Sequence, residues 1–169
     1  HLLRDELKKH LPQNYSKELK ILITSFKDEK LRGFELWPYT EFVQTYGLDE
    51  LKKSLDALKI FTTLFTSEWA VRPFIKQYPQ QTMQYLEDCA RHKSVHVRRW
   101  ASEGTRPRLP WGERLQDFVR DPSPTLPILD LLKFDEELYV RKSVANHLND
   151  IAKDHPELVV EILVQWKKI

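Results

Sequence analysis

Asp150 sits at the edge of a helical stripe that is otherwise made of amides and ammonium groups. On a helix over residues 137–153, at 100° per residue, Val140, Val144, Leu148 and Ile151 fall on one side. Lys142, Asn146, Asn149 and Lys153 share the other, and these groups can donate to phosphate oxygens. A carboxylate there repels what the stripe attracts. Asp150 therefore needs an ion partner, such as Lys153 or a neighbouring arginine, or a chemical use. Glu68 and Glu103 pose the same alternative. Arg72 follows Glu68 by four residues and Arg99 precedes Glu103 by four. On a helix these spacings make surface ion pairs worth only about 0.3–0.5 kcal/mol.

Other chemistries find little support. His147 lies near the apolar face and reads as a core or wall side chain. His92 and His96 are four apart, but no nearby acid or cysteine completes a metal set, so no metal is expected. There is no glycine-rich phosphate loop, no nucleophile elbow and no helical His-Glu-x-x-His. The single cysteine, Cys89, excludes an internal disulfide and a cysteine-cluster zinc site, and reads as a buried helix residue. It agrees with a reducing cytoplasm, and a cytoplasmic location is expected. No run of about 18 apolar residues could span a bilayer and no signal-peptide pattern opens the chain, so a soluble protein without membrane partners is expected.

Charge singles out one stretch. The formal net charge is only +2, yet Arg91, Lys93, Arg98, Arg99, Arg106, Arg108 and Arg114 face only Glu103 and Glu113 across residues 91–114. That is a local +5 on a body carrying −3, as an anionic ligand requires, although a solvated arginine-rich helix and loop would read the same.

The elements that must carry these residues are helices. Of 169 residues, 41% are hydrophobic and 31% charged, enough for a sizeable core, and spacings of three and four dominate over strict alternation. Helices are expected over residues 3–10, 16–25, 38–46, 48–65, 68–77, 79–92, 95–103, 126–132, 137–153 and 156–167. Pro38, Pro79 and Pro156 fall in first turns, where no intrahelical bond is lost. With four glycines and no Gly/Ser-rich or Pro-rich linker, one domain over residues 1–169 is expected.

A weak internal repeat supports a particular architecture. Val97-Arg98-Arg99-Trp100-Ala101 aligns with Val140-Arg141-Lys142-Ser143-Val144, forty-three residues later. This period suits an all-α, HEAT/armadillo-like superhelix of stacked helical hairpins, whose second helices line the concave face. An irregular helical bundle is the alternative. Residues 105–127 break the pattern with five prolines and with Trp111 beside Gly112, and read as a rigid, basic, aromatic insertion held by flanking helices.

Three strings then carry a resemblance. Phe65 to Ile75 (FTSEWAVRPFI), Arg99 to Trp111 (RWASEGTRPRLPW) and Tyr139 to Asp150 (YVRKSVANHLND) resemble, in order, AlkC-type DNA glycosylases of the DNA alkylation repair superfamily. The resemblance covers most of the chain and is strongest over residues 61–166, with Trp37-Pro38-Tyr39 matching more loosely. It implies excision of cationic alkylated bases, chiefly 3-methyladenine and also 3-methylcytosine, without rotating the base into a deep pocket. It marks Glu68, Glu103, Asp150 and Trp111 as the catalytic set. Asp150 and Glu103 would contact sugar or water, Trp111 would stack on sugar or backbone, and Glu68 could instead orient its neighbours. Arg72, Arg106, Arg108, Lys142, Asn146, Asn149 and Lys153 would hold phosphates of alkylated double-stranded DNA.

The same resemblance implies a monofunctional glycosylase of base excision repair that uses water and no cofactor, acting as a bacterial monomer. Family members usually carry further helices before the segment matching His1, and some an immunoglobulin-like domain after the repeats, so a trimmed or short member is expected. The alternatives are a non-catalytic HEAT-like module for damaged or branched DNA and a protein-interaction solenoid. The carboxylates discriminate, since a mere DNA binder gains nothing from acids beside phosphates.

Overall fold

In the computed structural model, which describes residues 2–27, 31 and 33–168, all regular structure among the described residues is helical. The order is α1 (Leu2–His10), α2 (Tyr15–Phe26), a 3-10 turn (Gly33–Leu36), α3 (Trp37–Tyr46), α4 (Leu51–Phe61), α5 (Arg72–Gln77) and α6 (Pro79–Cys89). Then follow α7 (Val95–Gly104), α8 (Gln116–Arg120), a 3-10 turn (Ser123–Thr125), α9 (Leu126–Leu132), α10 (Leu138–Ala152) and α11 (Pro156–Lys167). The first-turn prolines at 38, 79 and 156 fall where expected. Three expected helices are shorter, α6 ending at Cys89 rather than at residue 92. Residues 48–50 form a turn before α4, and residues 68–71 turn before α5. Pro73 explains the last case. It has no N–H to donate, so a helix can hold it only in the first turn, which sets the start at Arg72.

The chain packs as two compact units that divide between Tyr85 and Leu86, inside α6. In the first unit, Leu19, Leu22 and Phe26 of α2 join Phe42 and Val43 of α3 and Leu55, Leu58 and Phe61 of α4 in the core. Lys8 of α1 donates to the fully buried Glu18 at 2.6 Å. Gly47 ends α3 where no side chain fits. A Cβ there would lie 2.0 Å from the Tyr15 hydroxyl and 2.4 Å from Ser54 Oγ, which donates back to the Gly47 carbonyl.

In the second unit, α7 lies along α10 and α9 packs against both. Val97, Trp100 and Ala101 meet Ile128, Leu129 and Leu132 and the Val140, Val144, Leu148, Ile151 stripe, all buried as the helical pattern requires. The forty-three-residue repeat has a concrete structural meaning. Arg98 Nη1 donates to the carbonyls of His92 and Lys93, six and five residues before it. Arg141 Nη1 donates to the carbonyls of Asp135 and Glu136, with the same offsets. His92 Nδ1 accepts from the Ser94 N–H, and Asp135 accepts from the Glu137 N–H in the equivalent position. Each repeat therefore fixes the turn before its helix with one arginine and one acceptor, which gives His92 a turn role.

Between α7 and α9 the proline-rich segment is anchored. The Thr105 hydroxyl donates to the carbonyls of Ala101 and Ser102, Leu115 N–H donates to the Pro107 carbonyl, and Leu109, Leu115 and Phe118 are buried.

Candidate active site

Glu103 belongs to the last turn of α7 and Asp150 to the last turn of α10, two helices that pack along one another. Between them lies Arg106. Its Nη1 donates to Glu103 Oε1 at 2.5 Å and its Nε to Asp150 Oδ2 at 2.8 Å. One planar guanidinium thus joins the two acids through different nitrogens. Ser143 Oγ donates to Glu103 Oε2 at 2.5 Å, and Arg99 Nη2 stands 3.7 Å from Glu103 Oε1. Lys153 Nζ donates to Asp150 Oδ1 at 3.2 Å. Burial of Arg106 would by itself lower its pKa, but the hydrogen bond to Asp150 and the charge of Glu103 outweigh that and hold it above the ordinary value.

The two carboxylates differ in outlook. Glu103 is enclosed by buried partners, Arg106 and Ser143, on its two oxygens. Asp150 turns Oδ2 inward to Arg106, while the partner of Oδ1, Lys153, is well exposed. The two anionic groups share one buried cation, Arg106, with Arg99 and Lys153 as further cations at the edge of the cluster.

The third acid, Glu68, belongs to the first unit. It lies in the turn before α5, 7% exposed, and accepts from the Thr66 hydroxyl at 2.6 Å. Its neighbour Trp69 stacks on Trp37 with ring centres 5.3 Å apart and planes 9° from parallel, an arrangement that Phe34 and Phe65 extend. Because Glu68 precedes the helix, the helical i,i+4 argument for pairing with Arg72 does not apply.

Trp111 is the reverse of the buried acids. Its indole is 99% exposed, and its backbone, at φ 60°, is the only non-glycine left-handed residue among those described. The segment leading to it is tied along the end of α10 by Arg106 to Asp150 and by Arg108 to Asp154, the latter through Nε at 2.8 Å and Nη2 at 2.7 Å.

Two of the expected phosphate contacts require correction. Arg72 is 1% exposed and Arg106 7%, so neither guanidinium is presented to a ligand's backbone, and Arg106 is already held by two carboxylates. Arg108 is partly exposed but engaged by Asp154. Lys142, Asn146, Asn149 and Lys153 are exposed, as the stripe predicts. His147 is fully buried and its Nδ1 meets the Ser102 carbonyl at 3.0 Å, a wall role. Cys89 is buried in its helix. Among the described residues no three His, Cys, Asp or Glu side chains gather into a metal-binding group, and no helix is long and apolar enough to cross a membrane.

Sequence reasoning missed Ser143 and the bridging use of Arg106. Both left a signal. Ser143 precedes Asp150 by seven residues, two turns on the same face, and Arg106 follows Glu103 by three. Tyr139, half exposed, begins the same face, with the Arg99 guanidinium 4.9 Å above its ring.

No family model matches the chain. It is 47% identical over 156 residues to the uncharacterized protein YhaZ of Bacillus subtilis (strain 168), a match covering 92% of this chain and 43% of that protein. Among solved structures, Pseudomonas fluorescens alkylpurine DNA glycosylase AlkC, bound to DNA containing an abasic site analog, is similar with a TM-score of 0.87 and 44% identity. That match covers 92% of this chain and 43% of AlkC, so the chain spans somewhat under half the length of the proteins it resembles. Helices joined as repeated hairpins, the forty-three-residue recurrence of turn-fixing arginines and this likeness in sequence and fold place the chain with the AlkC-type, HEAT-like helical proteins of the DNA alkylation repair superfamily.

Proposed function

We propose that the protein is a DNA glycosylase that excises cationic alkylated bases from double-stranded DNA. The observation that carries this reading is the joining of Glu103 and Asp150 by Arg106 on adjacent helix ends, beside the exposed stripe of Lys142, Asn146, Asn149 and Lys153. The solved relative bound to abasic-site DNA supports DNA as the partner.

The chemistry follows from charge. An alkylated base such as 3-methyladenine is already cationic, so breaking its C1′–N bond returns the electron pair to the base and neutralises it without an acid. Positive charge then develops on the sugar. A carboxylate such as Asp150, whose Oδ1 meets the exposed Lys153, stabilises that charge and orients water. Water adds its oxygen to C1′ and loses a proton, leaving the free base and an abasic sugar. No cofactor enters the balance. Trp111 offers a rigid aromatic face for the sugar or backbone. No step requires a deep pocket for the base, so 3-methyladenine and the smaller 3-methylcytosine are substrates without base flipping. The lesion would be processed further by base excision repair in the cytoplasm.

Release of 3-methyladenine from methylated duplex DNA, measured in single turnover, tests the reading. Asp150→Asn and Glu103→Gln are expected to slow release by about 10²–10³-fold, the typical effect of losing one transition-state electrostatic contact. Binding should stay near wild type or tighten, because a negative charge has been removed beside phosphates. Unchanged release in both variants would remove the proposed chemistry, and tight binding without any release would establish a non-catalytic module. DNA methylated at guanine N7 is expected to remain intact.

A further inference from the structure

Arg106 stands in the basic stretch that sequence alone assigns to phosphate, yet its surroundings are those of an internal strut. We infer that Arg106 is a positioning residue, fixing the relative placement of the Asp150 and Glu103 carboxylates rather than holding DNA. The inference rests on the glycosylase reading above and deepens it.

Three observations carry it. The first is access: at 7% exposure, Arg106 is buried together with the two acids it joins, whereas Lys142, Asn146, Asn149 and Lys153 are exposed. The second is the use of its donors. Nε serves Asp150 and Nη1 serves Glu103, so the planar fork fixes both the distance between the acids and the direction in which each oxygen points. A lysine ammonium has the charge but no such plane, and cannot reproduce two divergent directions. The third is completion of the frame. Ser143 Oγ occupies the second oxygen of Glu103, so this acid is bound on both sides by buried groups, whereas Asp150 keeps Oδ1 towards exposed Lys153.

These contacts imply a hierarchy. Glu103, locked by Ser143, holds Arg106; Arg106 in turn holds Asp150; and Asp150, itself buried, keeps Oδ1 on the side of the exposed Lys153. Arg106 also reduces repulsion between two acids that would otherwise share a partly dry site. The arrangement has a direct consequence for variants. Loss of a phosphate contact weakens binding and reduces the dependence of log K on log salt by about 0.9. Loss of a strut misplaces the reacting carboxylate, where displacement by about 1 Å costs about 10²-fold in rate.

The test compares Arg106→Lys, Arg106→Met and Lys142→Ala with the wild type, using duplex DNA methylated at adenine N3. Single-turnover release at saturating protein, Kd at several salt concentrations and thermal unfolding are measured for each. Arg106→Lys, which keeps the charge and guards against misfolding, is expected to slow release about 10²-fold with Kd and salt slope unchanged. Ser143→Ala is expected to move release in the same direction by a smaller factor, again without changing the salt slope. Lys142→Ala is expected to lower the slope by about 0.9.

A folded Arg106→Lys variant with wild-type release, or Arg106 variants whose salt slope falls as that of Lys142→Ala does, would overturn the assignment. If the wild type releases no base, the glycosylase reading fails and the inference with it. If Asp150→Asn abolishes release while both Arg106 variants retain it, the inference fails alone.

Discussion

Trp111 combines near-complete exposure of the largest side chain with a left-handed backbone. For a residue with a Cβ that conformation costs about 1–2 kcal/mol, and an exposed indole recovers none of it in the unbound protein. The cost is tolerated because Pro110 and Gly112 set the turn and Arg108 fixes its base. Trp111→Ala keeps the strain and removes the indole, whereas Trp111→Gly removes both. If the indole stacks on the sugar or backbone, both variants should lose release by about 10-fold or more, in line with about 1–3 kcal/mol for an aromatic stacking contact. The glycine variant should nevertheless be at least as stable as the alanine one, by up to about 1 kcal/mol, since relief of strain is partly offset by the freer unfolded chain. Single-turnover release and urea unfolding of the pair check this. Wild-type release in both variants would exclude Trp111 from the site.

The hairpins that place these residues are held by their turns as well as by their cores. Asp135 shows how. It receives Arg98 through Nε at 2.6 Å and Nη2 at 3.0 Å, and it accepts from the Glu137 N–H at the start of α10. Burial would raise its pKa, but the bonds from Arg98 and from Glu137 outweigh burial and hold it below 3.8. A carboxyl depressed in the folded state stabilises the protein at all pH above its ordinary value, and the contribution disappears as pH falls through the depressed one. Arg98→Ala, which leaves Asp135 without its cation, should cost about 3 kcal/mol at pH 7. The difference from wild type should narrow below about pH 4. Urea unfolding at pH 7 and pH 3 measures both, and an undiminished gap at pH 3 would show that the ion pair is not its source. A second element-scale prediction concerns the end of α3. Gly47→Ala should destabilise by about 1–3 kcal/mol, because its methyl meets the Tyr15 hydroxyl and Ser54 Oγ rather than a flexible chain end. Thermal unfolding reads this directly. The helices were legible because apolar spacing and first-turn prolines are local signals. The misplaced start of α5 was legible too, in Pro73. The joining of Glu103 to Asp150 was not, because forty-seven residues separate them and only the packing of α7 along α10 sets their distance.

At the scale of the molecule, the same limit separates a count of charges from a potential. Residues 91–114 carry seven cations, but Arg91, Arg98, Arg99, Arg106 and Arg108 all stand in ion pairs with Glu87, Asp135, Glu103, Asp150 or Asp154. Four of those five acids lie outside the stretch, and three of them, Asp135, Asp150 and Asp154, are brought to it only by the fold, so a running sum of charge overstates what a phosphate meets. The division between Tyr85 and Leu86 escaped for a related reason: it falls inside a helix, with no glycine or proline to mark it. Of the seven, Lys93 and Arg114 are exposed and outside these ion pairs, and the stripe on α10 adds the exposed Lys142 and Lys153. Each phosphate neutralised contributes about −0.9 to the slope of log K against log salt. These four cations should therefore contribute a slope of about −3.6, not the roughly −6 that the seven of the basic stretch would give. Alanine at Lys93, Arg114 or Lys142 should each reduce the measured slope by about 0.9, whereas Arg98→Met, which removes a paired charge, should leave it unchanged. Anisotropy of labelled duplex DNA across a salt series measures this. Equal reductions for paired and unpaired cations would mean that the ion pairs open on binding, and that the stretch acts on phosphates as its sequence first suggests.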